Sequence, residues 1–228
     1  MKPGAAALLL LWMVGAAPSQ LDSEVVLQRY ALAIGRLTAP KAVVYSYTVS
    51  QVGATNIEQS HRIYRSGMAV RDETISIDGI ALHRKIVRFS NHEERYSVTR
   101  FAPQRESYEL LFLGTARDGR HFDYVYETTP LVRTAPTWID RLTIDGVAFL
   151  PRSVHFRSSG SEAQGSGTIA FAPFGRYWLP VAAIAQARVK GKPAREVIIW
   201  SDYRFPAALP PSTFAAPQPL HSATPPSM

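Results

Sequence analysis

The chain has no cysteine among its 228 residues. That absence excludes disulfides, thiolate metal sites, a cysteine nucleophile and a lipid-modified N-terminal cysteine. Long hydrophobic runs are missing too. The uncharged apolar stretch Ala5 to Val14 is well short of the roughly 20 residues that a membrane-crossing helix needs. No serine sits in a G-x-S-x-G elbow, and no H-E-x-x-H pair occurs. The segment Gly160 to Thr168 lacks the lysine and the following helix of a phosphate loop and reads as a flexible polar loop. Asp72-Glu73 and Glu93-Glu94 are adjacent carboxylates, which point to opposite faces of a strand and so cannot flank one bond. The histidines, His61, His83, His92, His121, His155 and His221, are scattered and read as solvent-facing strand positions. With no catalytic set, no metal set and no cofactor motif, the chain reads as a non-enzymatic protein.

What is present bounds the rest. Apolar residues make up 46% of the chain and aromatic residues 11%, enough for one sizeable core in one domain. Lysine and arginine number 25 against 18 acidic residues, a net charge of +7. The basic residues are dispersed and lack the stripe of a nucleic-acid binder, so no nucleic-acid partner is expected. Met1-Lys2, the apolar run and Gly15-Ala16-Ala17-Pro18-Ser19 have the order of a secretory signal. The expected division is a leader over 1–19 cut near Gln20, a domain over 20–214, and a disordered Pro-rich tail over 215–228. The mature protein is expected to be exported, periplasmic or secreted.

Asp22 and Ser23 supply an N-cap, and Val26, Tyr30, Ile34 and Leu37 then recur at helical spacing. The pattern predicts one amphipathic helix over 23–37. After it, period-two alternation dominates. Strands are expected at 43–49, 59–65, 68–77, 84–89, 95–101, 107–113, 121–127, 138–144, 148–157, from 168, and in the long closing hairpin turning at Val189 to Pro193. Asp78-Gly79, Asp118-Gly119 and Asp145-Gly146 are two-residue hairpin signals. Short connections imply an antiparallel meander. The fold class is α+β, mostly β: an unclosed antiparallel half-barrel of about eleven strands wrapped around an N-terminal helix. One helix cannot cover so wide a face, so an apolar trough is expected. Its candidate lining is the aromatic phase of the strands: Tyr45, Tyr47, Tyr96, Phe122, Tyr124, Tyr126, Phe156, Ile199 and Tyr203.

The order of leader, helix SEVVLQRYALAIGRL and a meander closing in FGRYWLPV…REVIIWSDYRFPAALPPSTF resembles the lipoprotein-carrier superfamily of LolA, LolB and the RseB N-terminal domain. The resemblance spans about residues 20 to 214. It implies an unclosed barrel whose apolar cavity accepts lipid or lipoprotein acyl chains, with an extracytoplasmic carrier or sensor role and no catalytic residue. It also implies lid helices over the barrel mouth; Pro130 to Thr137 or the 158–167 loop is placed to fill that role. Without a lipobox cysteine the chain is like the soluble carrier. A monomer, with a membrane-associated protein as a further partner, completes the expectation. The alternative is a structural or interaction module of the same fold, with a filled core and a protein partner.

Overall fold

The computed structural model describes residues 21–53, 56–118, 121–132, 136–160, 163–189 and 191–215. The expected leader, nearly all of the expected tail, and Gly119 of the Asp118-Gly119 turn lie outside the described residues. In chain order the elements are α1 (Ser23–Gly35), β1 (Ala42–Val52), β2 (Ile57–Ser66), β3 (Ala69–Ile77), β4 (Ile80–Asn91), α2 (Val98–Phe101), β5 (Tyr108–Asp118), β6 (His121–Pro130), β7 (Thr137–Asp145), β8 (Pro151–Ser159), β9 (Ala163–Phe174), β10 (Tyr177–Val189) and β11 (Lys192–Arg204), followed by a 3₁₀ turn, Pro211–Phe214.

The eleven strands form one antiparallel sheet in the order β4-β3-β2-β1-β11-β10-β9-β8-β7-β6-β5. Every neighbour in that order is a hairpin partner, except that β1 and β11 bring the two halves together. β4 and β5 are the free edges, so the barrel is unclosed, as the alternation predicts.

Helix α1 begins where Asp22 accepts the Glu24 backbone N–H at 2.7 Å. A carboxylate in the first turn also suits the helix dipole. Val26, Leu27, Tyr30 and Ile34 are buried along one side of the helix. Each such side chain contributes roughly 1.5–3 kcal/mol by leaving water. They join Tyr126, Leu142, Ile144, Val154, Ile169 and Trp200 in one core on the inner face of the sheet.

The β3–β4 turn forms as its sequence demands. Asp78 and Gly79 both take positive φ, 51° and 76°, the left-handed pair that suits the twist of a tight hairpin. Asp78 also accepts the Glu58 backbone N–H at 2.8 Å.

Five expectations are corrected. The short strand at 84–89 is the twelve-residue β4. The 95–101 segment is not a strand: residues 92–107 run from one free edge to the other as a strap, carrying the one-turn helix α2. Val98, Ala102 and Pro103 of the strap are buried, and Tyr96 packs against the same core, so the apolar pair Tyr96 and Val98, two apart, serves a crossing segment here. The supposed loop at 160–167 is strand from Ala163 onward. Its glycines pack rather than flex. A Cβ on Gly167 would lie 2.5 Å from the Phe156 ring, and one on Gly165 would lie 2.2 Å from the Gln186 carbonyl.

The Asp145-Gly146 turn is wider than two residues. Asp145 accepts the backbone N–H groups of Val147 and Ala148 at 2.9 and 2.7 Å, and Phe149 turns left-handed at φ 55°. Finally, the apolar phase of β11 is reversed in its middle. Ile198 and Trp200 are buried while Ile199 is 47% exposed. Asp202 at φ 57° sits in a bulge where Val44 pairs with Arg204 but Ser46 pairs with Ser201. The extra residue shifts the strand's phase, returning Tyr203 to the inner side.

Candidate functional site

Much of the inner face is filled by side chains from α1, the strap and the sheet. Space persists at one end, where α1 gives way to β1. A cavity of about 520 Å³ opens there between the 37–40 connection, the start of β1, the β2–β3 turn, the strap and the start of β10. Leu37, Val43, Val98, Leu179 and Pro180 supply its aliphatic walls, with Trp178 beside them. Each arrives by a local cause. Leu37 follows the end of α1, and Val43 lies on the inner face of β1. Val98 is carried by α2, and the Trp178-Leu179-Pro180 run opens β10. The Trp178 indole N–H donates to the Pro151 carbonyl at 2.7 Å, fixing that wall.

Tyr45 and Tyr203 form the aromatic side of the cavity, with ring centroids 5.2 Å apart. Phe174 meets Tyr203 at 4.6 Å on its other side. The Tyr203 hydroxyl donates to the Pro180 carbonyl at 2.8 Å. Burial raises its pKa far above that of free tyrosine, with Glu94 adding to the effect. Tyr45 donates to Glu94 at 3.2 Å. Burial and then the Glu94 charge likewise raise its pKa, partly offset by Arg65. Both rings are therefore neutral hydrogen-bond donors at ordinary pH.

One charged pair marks the polar corner. Arg65, 8% exposed, holds Glu94 at 2.9 Å through Nε and donates from Nη1 to the His92 carbonyl at 2.7 Å. A buried guanidinium needs such partners, because desolvation of an unpaired charge costs several kcal/mol. The pair also ties the strap to β2. The ionisable lining is Arg65, Glu93 and Glu94, besides the two tyrosines. Ser97 and Thr99 of the strap add hydroxyls to the same lining.

The remaining sequence candidates fall elsewhere. Tyr47 is half-buried on the inner face, stacked on His61 at 4.6 Å. Tyr96 sits on the strap, edge-on to Trp200 at 5.0 Å and stacked with Phe101. Tyr124 and Tyr126 are core residues, 5% and 0% exposed, and the Tyr126 hydroxyl donates to the Ser23 carbonyl at the start of α1. Phe156 lies across Gly167. Phe122 is half-buried under Arg117. Ile199 stands on the outer face for the reason of phase already given. Of the nine, only Tyr45 and Tyr203 line the cavity. Sequence reasoning missed Leu37, Val43, Val98, Leu179 and Pro180. One signal lay near them: Trp178-Leu179-Pro180 has the same aromatic-Leu-Pro pattern as Phe149-Leu150-Pro151.

Two histidines depart from the expected solvent-facing role. His61 is 5% exposed and its Nδ1 lies 2.8 Å from Asp72. His155 pairs with Asp140, which also receives Arg157. Among the described residues no three His, Asp or Glu side chains converge where they could hold a metal ion.

The sequence matches no family model and no curated protein. Among solved structures the chain is similar to a LolA superfamily protein of Nitrosomonas europaea, with 13% identity, TM-score 0.42, and 86% of this chain and 99% of that chain covered. It is similar to a domain from Vibrio parahaemolyticus described as an outer membrane lipoprotein-sorting protein, with 13% identity, TM-score 0.47, and 85% and 97% covered. It is also similar to a DUF1329 family protein of Desulfovibrio piger, with 13% identity, TM-score 0.47, and 83% and 97% covered. The first of these structures carries the name of the superfamily that the sequence pattern resembles.

Proposed function

We propose that the protein binds an acyl chain in the cavity at the α1–β1 end and acts as an extracytoplasmic carrier or sensor of lipid or lipoprotein chains. The observation that carries this reading is the cavity itself. It measures about 520 Å³, within the usual range of roughly 300–1,000 Å³ for small-molecule sites. Its walls are in large part aliphatic and aromatic, and its polar side comprises Arg65, Glu93, Glu94, the tyrosine hydroxyls and the hydroxyls of Thr38, Ser97 and Thr99. An apolar chain would gain about 0.8 kcal/mol for each methylene it buries there, with its polar end turned to the Arg65–Glu94 corner. The filled middle of the barrel limits the cargo to what this end accommodates. Export rests on the leader-like N-terminus, and a monomer that meets a membrane-associated partner is part of the same reading.

The test is displacement of a fluorescent fatty acid from purified protein, together with native mass spectrometry for lipid that co-purifies. Leu179→Trp, at a half-buried wall position, is expected to weaken binding by about tenfold or more by filling the space, with the unfolding temperature little changed. Absence of binding in the unsubstituted protein overturns the proposal, as does equal binding by Leu179→Trp.

A further inference from the structure

A second groove, of about 480 Å³, lies on the opposite side of the sheet. Its floor is Val44 and Ser46 of β1, which point outward because Tyr45 between them points in. Arg62 and Tyr64 rise on the β2 side and Arg204 on the β11 side, and Phe205, Pro206 and Leu209 fold over as the remaining wall. The strand register places them: Ser46 pairs with Arg62, and Val44 pairs with both Tyr64 and Arg204. The wall is anchored farther along, where Arg71 donates to the Thr213 carbonyl at 3.2 Å.

The charges in this groove are unbalanced. Arg62 and Arg204 make no ion pair with any described residue. Glu73, the cross-strand neighbour of Arg62, is already held by Arg71 at 2.6 Å and Lys85 at 2.8 Å. Asp202 lines the groove and takes the Ser201 hydroxyl at 3.4 Å. The charged lining of the groove is thus Arg62 and Arg204 against one carboxylate, Asp202. Two guanidinium groups that no carboxylate pairs, above a floor of small side chains, suit a planar or tetrahedral oxyanion gripped by paired N–H donors.

We propose that this outer groove is a binding site for a phosphate group, held between Arg62 and Arg204. An apolar portion of the same ligand rests on Val44, Tyr64, Pro206 and Leu209. Phosphate is supplied equally by a lipid headgroup or by a free phosphorylated solute, and the experiment separates the two. The site shares no cargo with the inner cavity, and its test does not depend on acyl-chain binding.

Inorganic phosphate is titrated calorimetrically into the full chain. Co-sedimentation is measured separately with phosphatidylcholine vesicles with or without phosphatidic acid. The variants are Arg62→Gln/Arg204→Gln, Arg62→Lys/Arg204→Lys and, as a control for unspecific attraction, Arg84→Gln/Arg88→Gln on β4. Saturable binding of inorganic phosphate identifies a soluble ligand; binding of phosphatidic acid vesicles alone identifies a headgroup. In either case the glutamine pair at 62 and 204 is expected to lose about tenfold or more, the scale of lost charge-assisted hydrogen bonds. The lysine pair should lose part of it because the planar fork is gone, and the β4 pair should bind as the unsubstituted protein does. No saturable binding of either probe overturns the proposal. Equal losses in the 62/204 and 84/88 glutamine pairs overturn it too. Thermal unfolding of each variant separates lost binding from lost fold, and Leu179→Trp should leave phosphate binding intact.

Discussion

The hydroxyl of Tyr30 donates to the carbonyl of Pro103 at 2.9 Å, across 73 residues of sequence. The bond is buried and joins the middle of α1 to the strap that spans the free edges of the sheet. Burial raises the pKa of this phenol far above that of free tyrosine, so the group is a neutral donor, and among the described residues its partner is that carbonyl. Tyr30→Phe keeps the ring and strands the carbonyl. The expected loss is about 1–3 kcal/mol, a fall of very roughly 2–4 °C in unfolding temperature per kcal/mol for a domain of this size. Calorimetry of the single variant checks it; an unchanged transition would show that the strap is not tied through this bond.

Alkaline pH should unfold the protein through its tyrosines. Burial is the first cause of raised pKa at Tyr30, Tyr45, Tyr47, Tyr96, Tyr126 and Tyr203, and Tyr126 is pushed up to about 12. In the unfolded chain these phenols ionise near pH 10. Their contribution is therefore complete below about pH 10 and is lost as pH rises from there through the folded-state values. Tyrosinate absorbance and far-ultraviolet dichroism are expected to change together in a steep transition. A gradual rise in absorbance with the fold intact would contradict the burial.

On the acid side, the informative group is Asp140. Burial pushes its carboxyl up, but the hydrogen bonds and charges of His155 and Arg157 together outweigh that and hold it below the usual range. A depressed folded-state pKa gives stability that is present above about pH 4 and lost as pH falls. Asp140→Asn should therefore destabilise at neutral pH and matter progressively less toward pH 3, as read from urea unfolding at both ends of that range.

Neighbouring isoleucines test the phase of β11. Ile198→Ala empties a buried position and should cost about 2–4 kcal/mol. Ile199→Ala, on the exposed outer face, should stay within roughly 0.5 kcal/mol. The reverse order would mean that the Asp202 bulge is misplaced.

Packing between β8 and β9 can be probed at one glycine. Gly167→Ala drives a methyl into the Phe156 ring and toward the Ile184 carbonyl, 2.5 and 2.7 Å from the new atom, at an expected cost of about 1–3 kcal/mol. Adding Phe156→Leu should recover part of that loss, because the ring is the yielding partner and the carbonyl is not. Full additivity of the two substitutions in denaturant titrations would deny the contact.

The helix and the hairpins were legible because their causes are local. Asp22 caps its own helix, and Asp78-Gly79 takes left-handed angles that few other pairs would accept. The strap was not legible, since Tyr96 and Val98 repeat at a spacing shared by a strand and by a segment whose alternate residues enter a core. Nothing local separates those cases. Only the partners do, Trp200 for Tyr96 and α1 for the residues around Pro103. Gly165 and Gly167 read as a loop because glycine marks both mobility and close approach, and the deciding atoms belong to Phe156, Gln186 and Ala187, far along the chain. The cavity was half legible: Tyr45 and Tyr203 were found by their aromatic phase, whereas Val43, Val98 and Leu179 are ordinary apolar residues until three separate elements meet.

The strand order runs in sequence around the barrel, with β1 and β11 joined by a ladder and β4 and β5 joined only through residues 92–107. A change in the barrel's girth at the β4–β5 side therefore breaks no ladder. Its resistance comes from side-chain contacts on a single covalent bridge, among them Tyr30 on Pro103, Arg65 and Tyr45 on Glu94, Glu24 on Arg105 and Trp200 on Tyr96. Widening there would cost contacts of this kind alone, while the hydrogen-bonded wall opposite stays whole.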